Sequence, residues 1–242
     1  MHPCGTFYGI GVGPGERGLL AVRAWEVVQR CTKIYVPRAT SHEHSIARAC
    51  LPENNLPEER FAEVHFDMSL DHAALETRYT RLAEEIAAKL RSGEDVCYLT
   101  IGDAMTYSTF NYALAAVRKA CPEAPWRVFP GITSYAAVAA ATGFSLGEKK
   151  ERVLLLPCPE SEQELARALS QNTVTVVMKI GRRLPMVIRV LSEKGLLPHC
   201  CLGSHMGMPD ERIWSGLSEL NPDDSHGYLS TLLVRNPSAS SE

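Results

Sequence analysis

The sequence lacks the features that would place the chain on a membrane or on nucleic acid. Its 242 residues carry 25 lysines and arginines against 28 acidic residues, so no excess of positive charge is available for nucleic acid. Apolar runs stay well short of the ~18 residues that a membrane span needs. The first residues contain neither the basic nor the apolar segment of a signal peptide. We therefore expect a cytoplasmic protein without nucleic-acid or membrane partners.

The cysteines and histidines show no strong metal-binding spacing. None of the 8 cysteines belongs to a C-x-x-C pair, and most have apolar neighbours, which is typical of reduced, buried thiols. Two groups invite a metal interpretation: His42 with His44, and His199, Cys200 and Cys201 with His205. Neither has the ligand spacing of a zinc site, and solvated loop histidines are the simpler explanation. The sequence therefore predicts no resident metal.

The common motifs do not identify a catalytic nucleophile. The chain contains no Walker A and no H-E-x-x-H sequence. Its G-x-S-x-G, at 143–147, follows a predicted helix of small residues and not the strand that a nucleophile elbow requires. Chemistry without a protein nucleophile indicates that a cofactor brings the reactive group. No catalytic residue is assigned from the sequence.

Alternating strand-like and helix-like segments predict an α/β fold. In the first half, apolar runs at 6–11, 33–36 and 95–100 alternate with amphipathic helices and predict an open parallel sheet. The second half has more strands and is typical of a mixed α/β unit. Pro122 and Pro125 lie close together and predict a stiff linker. We therefore expect two domains, 1–121 and 126–242.

A glycine-rich loop follows the first predicted strand, with glycines at 9, 11, 13 and 15. Glycine allows close backbone approach and positive φ, so such a loop is suited to contact a ligand. Counted from Gly9 or Gly11, the dinucleotide pattern G-x-G-x-x-G lacks its third glycine, because Pro14 and Glu16 stand there. The pattern is complete only over 13–18, beyond the predicted strand, and the next predicted strand is followed by Pro37-Arg38 and not by the acidic residue that would hold a ribose. This argues against a nicotinamide oxidoreductase.

Two further loops come at the ends of predicted strands. Gly102-Asp103 follows the strand that ends near Thr100, and ligands of open α/β sheets bind at such carboxyl ends. Thr133-Ser134 places hydroxyl groups at the start of a helix. Both loops have simpler explanations, an Asx turn for the first and helix capping for the second.

Taken together, the three loops at 8–15, 99–110 and 129–134 resemble the tetrapyrrole (corrin/porphyrin) methylase family in order and spacing. Val176–Gly181 adds a fourth match, and the resemblance spans Thr6–Val234. Within the family, 107–110, 143–146 and the long segment 38–68 look most like the C20-methyltransferases that act on precorrin-2 or cobalt-factor II. One departure is Ala104, where the family usually has proline.

The resemblance implies two α/β domains of the tetrapyrrole methylase type with the active-site cleft between them, a homodimer, and S-adenosylmethionine as cofactor. It also carries over the cofactor contacts, namely Pro14, Ile101, Gly102, Asp103, Thr106, Ser108, Thr109, Thr133, Ser134, Met178, Lys179, Met206 and Gly207. Substrate contacts are expected at Gly13, Arg38 and Tyr107. Other basic residues, Lys149, Lys150 and Arg182, are further candidates to bind the carboxylates of a tetrapyrrole.

The implied reaction is methyl transfer to the C20 meso carbon of precorrin-2 or cobalt-factor II in cobalamin biosynthesis. The alternatives are a methylase acting at another macrocycle position or on a protein or RNA target, and a non-catalytic cobalt or tetrapyrrole carrier. Because a sulfonium loses charge during transfer, a carboxylate against the sulfur would stabilise the ground state. We therefore predict that Asp103 contacts the ribose, the amino group or the loop backbone.

Overall fold

The structure, a computed structural model, describes residues 3–39, 45–53, 55–66, 72–221 and 229–239. The chain divides into two compact units, with the boundary between Thr133 and Ser134. Each unit contains a five-stranded sheet. The predicted α/β fold is therefore confirmed.

Unit 1 contains these elements: β1 (Phe7–Gly11), α1 (Val22–Arg30), β2 (Lys33–Ala39), α2 (Ile46–Ala49), β3 (Phe61–Phe66), α3 (His72–Arg91), β4 (Val96–Thr100), α4 (Phe110–Ala120) and β5 (Trp126–Phe129). Its strands run in the order β3-β2-β4-β1-β5, and every pair is parallel. Cys121–Pro125, the predicted linker, connects α4 to β5 of this same sheet, so the unit boundary falls further along the chain.

Helices cover both faces of the first sheet, as a parallel sheet requires. On one face, the α1 stripe of Ala24, Val27 and Val28 packs with Ile10 and Leu99 of the central strands. On the other, residues of α3 and α4 surround a second apolar cluster. The apolar stripe of α3 contributes Tyr79, Ile86 and Leu90, all buried. Gly93 ends α3 with φ 85° and donates its N–H to Leu90 O at 3.0 Å.

Strand β2 extends beyond its predicted end. The predicted strand covers 33–36 and stops before Pro37, but β2 continues to Ala39. Beyond Tyr35, β2 pairs only with β3, where Pro37 lies opposite Val64. A proline lacks the N–H that a strand with partners on both sides would use, and it is tolerated where one side is unpaired.

Unit 2 contains α5 (Ser134–Thr142), β6 (Val153–Pro157), α6 (Glu162–Gln171), β7 (Val174–Met178), α7 (Leu184–Glu193), β8 (Cys200–Ser204), β9 (Arg212–Ser215) and β10 (Ser230–Arg235). Its sheet has the order β6-β7-β10-β8-β9, with β6 and β7 parallel and the other pairs antiparallel. This is the mixed α/β unit that the sequence predicts. Helices α6 and α7 cover one face, and α5 packs against the other.

The cysteines of the His199–His205 group do not face one common site. Cys200 and Cys201 pack into different apolar clusters on the two faces of β8, because successive residues of a strand point in opposite directions. His42 and His44 lie outside the described residues. Within the described ranges, no helix combines the length and the apolar character that crossing a membrane demands.

Candidate active site

Three glycines touch at the carboxyl ends of three neighbouring strands in unit 1. Gly11 ends β1, and Gly102 and Gly131 follow β4 and β5, which flank β1 on either side. A Cβ on Gly131 would lie 2.1 Å from the Gly102 oxygen, and one on Gly11 would lie 2.5 Å from the Gly131 nitrogen. Backbone packs directly on backbone here, so only glycine fits at these positions.

The point where these glycines meet is the topological switch point of the sheet. From β1 the chain passes through α1 to β2, on the far side of β4. From β4 it passes through α4 to β5, on the far side of β1. Right-handed crossovers in opposite directions place α1 and α4 on opposite faces of the sheet. Open α/β sheets bind ligands in the crevice at the carboxyl ends of such strands.

A two-residue bridge joins the loops after β1 and β4. Gly13 donates its N–H to Gly102 O at 3.2 Å, and Gly102 donates to Gly13 O at 2.6 Å. The φ values of these glycines are 87° and 70°, which residues with a side chain rarely adopt. Pro14, directly after the bridge, is buried. The glycine-rich loop is therefore fixed in place by its partner loop.

Asp103 connects the β4 loop to the loop after β5. Its Oδ1 accepts hydrogen bonds from Met105 N at 2.9 Å and from Thr106 Oγ1 at 3.0 Å, and its Oδ2 accepts one from Gly131 N at 3.1 Å. Both carboxylate oxygens are thus held by the loop backbone and one hydroxyl. The predicted Asx turn and the predicted loop-backbone contact are both present.

The segment that leads into α4 directs two of its hydroxyls inward. Ser108 Oγ accepts a hydrogen bond from Phe110 N at 2.9 Å, and Thr109 Oγ1 lies 3.1 Å from the Tyr98 hydroxyl. Burial raises the pKa of Tyr98 above its ordinary value, so its hydroxyl stays protonated. Tyr107 is half exposed with φ 50°, an uncommon conformation for a non-glycine residue.

Sequence reasoning missed Thr100, the last residue of β4. Thr100 pairs with Gly11 across the strands and is only 5% exposed. Within the part of the chain that the structure describes, its buried hydroxyl has no hydrogen-bond partner. A buried polar group without a partner carries a free-energy cost that a ligand can remove. The signal in the sequence was a threonine closing an otherwise apolar strand.

The predicted residues of unit 2 lie at the ends of its own elements. Ser134 begins α5, and its hydroxyl lies 2.7 Å from Thr231 Oγ1 of β10. Met178 ends β7 and accepts a hydrogen bond from Cys158 N at 2.7 Å. Lys179 follows with φ 55°, and partial burial lowers the pKa of its amine. The backbone oxygen of Lys179 accepts a bond from Arg183 at 2.8 Å.

The loop after β8 carries the other two predicted residues of unit 2. His205 and Gly207 have φ values of 51° and 74°, and Met206 between them is buried. The Met206 sulfur packs against Gly203 of β8, because a Cβ on that glycine would lie only 2.6 Å from it. The sharp turn therefore brings the Met206 side chain back onto β8.

Arg38 lies apart from the glycine cluster, on β2, which β4 separates from β1. Its Nε is 3.0 Å from a Glu63 carboxylate oxygen, and its Nη2 is 3.3 Å from the His65 ring. A substrate carboxylate would have to compete with Glu63 for this guanidinium. Gly13, Gly102 and Asp103 therefore lie together, whereas Arg38 lies on β2, two strands away from β1.

A groove of about 760 Å³ lies elsewhere on unit 1, beside α2 and β3. Its two arginines are already paired with carboxylates, Arg17 with Glu53 at 3.3 Å and Arg48 with Glu58. The groove borders the edge strand and not the switch point of the sheet.

The fold and the glycine-lined switch point define an α/β protein with a crevice at the carboxyl ends of parallel strands. The chain belongs to the tetrapyrrole (corrin/porphyrin) methylase family, whose pattern it matches over residues 6–221. It is 32% identical over 231 residues to the cobalt-precorrin-2 C(20)-methyltransferase of Salmonella typhimurium (strain LT2), covering 95% of this chain and 96% of that protein.

Two further comparisons agree. The precorrin-2 C(20)-methyltransferase of a Sinorhizobium species is 27% identical over 237 residues, covering 95% of each chain. The crystal structure of uroporphyrin-III C-methyl transferase from Thermus thermophilus, complexed with S-adenyl homocysteine, matches with a TM-score of 0.61 at 17% identity. That match covers 96% of this chain and 98% of the other, and it supports the fold.

Proposed function

We propose that this protein transfers a methyl group from S-adenosylmethionine to C20 of precorrin-2 or of its cobalt-loaded form, in cobalamin biosynthesis. Relatives that match 95% of the chain carry this activity in their names, with and without cobalt. The observation that carries the proposal is the glycine-built crevice at the switch point of unit 1, within a chain of the methylase family.

The residues at this crevice fit a sulfonium nucleoside as cofactor. Thr100 offers a buried hydroxyl that has no partner among the described residues, and Ile101 and Gly102 follow it directly in the loop. A Cβ on Gly102 would have only one atom near it, at 3.9 Å, so the backbone there is open to close approach. Thr106, Ser108 and Thr109 remain proposed contacts beside them. In unit 2, we propose Met178, Lys179, Met206 and Gly207 as cofactor contacts.

The cofactor, when bound, supplies an electrophilic methyl group to an electron-rich meso carbon of the macrocycle. The chain has to position both partners and exclude water, because no protein nucleophile is needed. The mutual hydrogen bonds of Gly13 and Gly102 fix the loops in advance, so little ordering is left for the moment of binding. Rigid loops hold the reacting groups in line.

The hydrogen bonds of Asp103 support its proposed role. Both carboxylate oxygens already accept bonds from Met105, Thr106 and Gly131. A carboxylate held in this way shapes the loop and is restrained from moving onto a sulfonium. Since the positive charge on sulfur decreases on the way to the transition state, keeping the carboxylate off it favours transfer.

For the substrate, we propose contacts from Gly13 and Tyr107, with Arg38 as a binding group for a peripheral carboxylate. We also propose a homodimer, as the resemblance implies. Light scattering of the purified chain measures this oligomeric state. A mass of one chain at micromolar concentration would contradict it.

The deciding experiment supplies labelled S-adenosylmethionine with precorrin-2 in one reaction and with its cobalt-loaded form in another, and then locates the methyl by NMR. We expect label at C20. Label at another meso or pyrrole carbon would place the chain elsewhere in the same family. Binding of S-adenosylhomocysteine without transfer to either macrocycle would point to a protein or RNA target.

A further inference from the structure

Three side chains with metal-ligand atoms meet at the amino end of the first sheet. Cys4 precedes β1, Cys121 follows α4, and Glu123 lies in the turn before β5. Their two sulfurs and a carboxylate oxygen all lie within 4.8 Å of one another. The three glycines of the crevice stand at the other end of the same strands. This cluster is therefore separate from the proposed methylation site.

The backbone holds both cysteines in place. Gly5, next to Cys4, donates its N–H to Leu90 O at 2.8 Å, and a Cβ on Gly5 would lie 2.0 Å from the Glu94 oxygen. Cys121 donates its N–H to Val117 O at 2.8 Å as the cap of α4. The two thiols are thus presented from fixed positions, which lowers the entropy cost of binding an ion.

The charges at the cluster balance for a divalent ion. Arg91 Nε lies 3.1 Å from Glu123 Oε1. Two thiolates and one carboxylate would carry three negative charges, and a divalent cation with Arg91 supplies three positive ones. A carboxylate has two oxygens, so one can bond a metal while the other keeps the arginine. Cys121 is only 1% exposed, and so one side of the site is shielded from water.

We propose that Cys4, Cys121 and Glu123 bind a divalent cation of the zinc or cobalt(II) class, with water in a fourth position. Two sulfurs and one oxygen are ligands that such ions prefer in tetrahedral sites. Zinc–sulfur bonds of ~2.3 Å put tetrahedral ligands roughly 3.5–3.8 Å apart, so shifts of about 1 Å close the site. Binding replaces the thiol protons, which pass to solvent, and involves no redox change.

The test is a titration of the reduced, metal-free, full-length protein with cobalt(II) under argon. We expect one equivalent to produce thiolate-to-cobalt charge-transfer absorption, which zinc(II) then displaces. Glu123→Gln and Cys4→Ser should each weaken cobalt binding roughly tenfold or more. Cys50→Ala removes a buried thiol of the same unit outside the cluster, and it should bind like the parent.

Two results would overturn the proposal. One is the absence of thiolate-to-cobalt absorption from the reduced parent protein. The other is equal cobalt affinity in Cys4→Ser, Glu123→Gln and Cys50→Ala. Glu123 is exposed and Cys4 only partly buried, so circular dichroism should show both variants folded. Mass spectrometry of the unreduced protein detects a Cys4–Cys121 disulfide, and one that forms and persists with zinc present would also refute the site.

Discussion

At the scale of single residues, the site depends on glycines, which have no Cβ. Gly11 and Gly131 allow three strand ends to touch, because a Cβ on either would collide with backbone, and Gly102 is needed for its φ of 70°. The sequence indicated Gly11 and Gly102 through the alternating glycines and the Gly102-Asp103 pair. It could not indicate that Gly131 touches both, since that contact depends on which strands are neighbours.

Gly131→Ala should damage both stability and ligand binding. The new methyl would lie 2.1 Å from the Gly102 oxygen, and backbone cannot yield as a flexible side chain can. We expect a loss of roughly 1–3 kcal/mol in the free energy of unfolding. We also expect weaker binding of S-adenosylhomocysteine, measured by calorimetry. Gly147→Ala is the matched control, because its methyl would meet only a Val153 methyl at 3.2 Å. Equal behaviour of the two variants would refute the argument.

Asp103→Asn should weaken cofactor binding at least about tenfold. An amide supplies one oxygen and one NH₂, so either the Gly131 N–H or the Met105 and Thr106 donors lose their acceptor. Hydrogen bonds to a charged group contribute about 1.5–3 kcal/mol each, and 1.4 kcal/mol is tenfold in affinity. Asp95→Asn is the control, since Asp95 accepts from Thr6 N at 2.7 Å at the amino end of β1. It should lower stability and leave the dissociation constant of S-adenosylhomocysteine unchanged.

At the scale of elements, the small residues of α5 allow it to approach the second sheet closely. Five of the residues of α5 are alanine, and the approach is tightest at β8. A Cβ on Gly203 of β8 would come within 2.3 Å of Val138 Cγ2. Val138 is fully buried in the cluster between α5 and the sheet.

A double-mutant cycle tests this contact. Gly203→Ala alone should destabilise the protein by overpacking, and Val138→Ala alone by leaving a cavity. In the double variant the added methyl occupies space that the valine vacates. The double variant should therefore lose less free energy of unfolding than the two single variants together, by roughly 0.5 kcal/mol or more. Urea unfolding measures all four proteins. Additive losses would show that α5 moves away from β8 instead.

Elements that rest on local patterns were predicted well, and those that rest on pairing were not. The α3 stripe and its Gly93 stop follow from spacing alone, and both are present. The end of β2 was misplaced, because Pro37 is tolerated only through the one-sided pairing of that strand. Cys4, Cys121 and Glu123 are far apart in sequence, so no spacing rule could have brought them together.

At the scale of the whole molecule, each unit contains a buried thiol that resists ionisation. Burial raises the pKa of Cys50 to about 11 and that of Cys200 to about 12. Below the ordinary thiol pKa, these thiols are protonated in both the folded and the unfolded chain, so their contribution to stability is fully present. Above it, the unfolded chain loses these protons first, and stability falls until the folded thiols ionise as well.

We therefore expect the free energy of unfolding to fall between about pH 9 and pH 11–12, by on the order of 3 kcal/mol per thiol. Urea titrations at pH 8, 9, 10 and 11 measure this slope. In a Cys50→Ala/Cys200→Ala variant the free energy of unfolding should fall less steeply over this pH range, although the protein starts less stable at pH 8. Parallel slopes for parent and variant would rule the two thiols out as its cause.

The meeting of Gly11, Gly102 and Gly131 also has a kinetic consequence. These residues stand at distant points of the chain, on strands that pair only after long loops have closed. Closing such loops is slow, so contacts of this kind form late in folding. The crevice cannot exist in a partly folded unit 1, and a ligand that fits it selects chains in which all three strands have paired. Ligand binding is thus a stringent measure of correct folding, and cofactor present during synthesis should raise the yield of native protein.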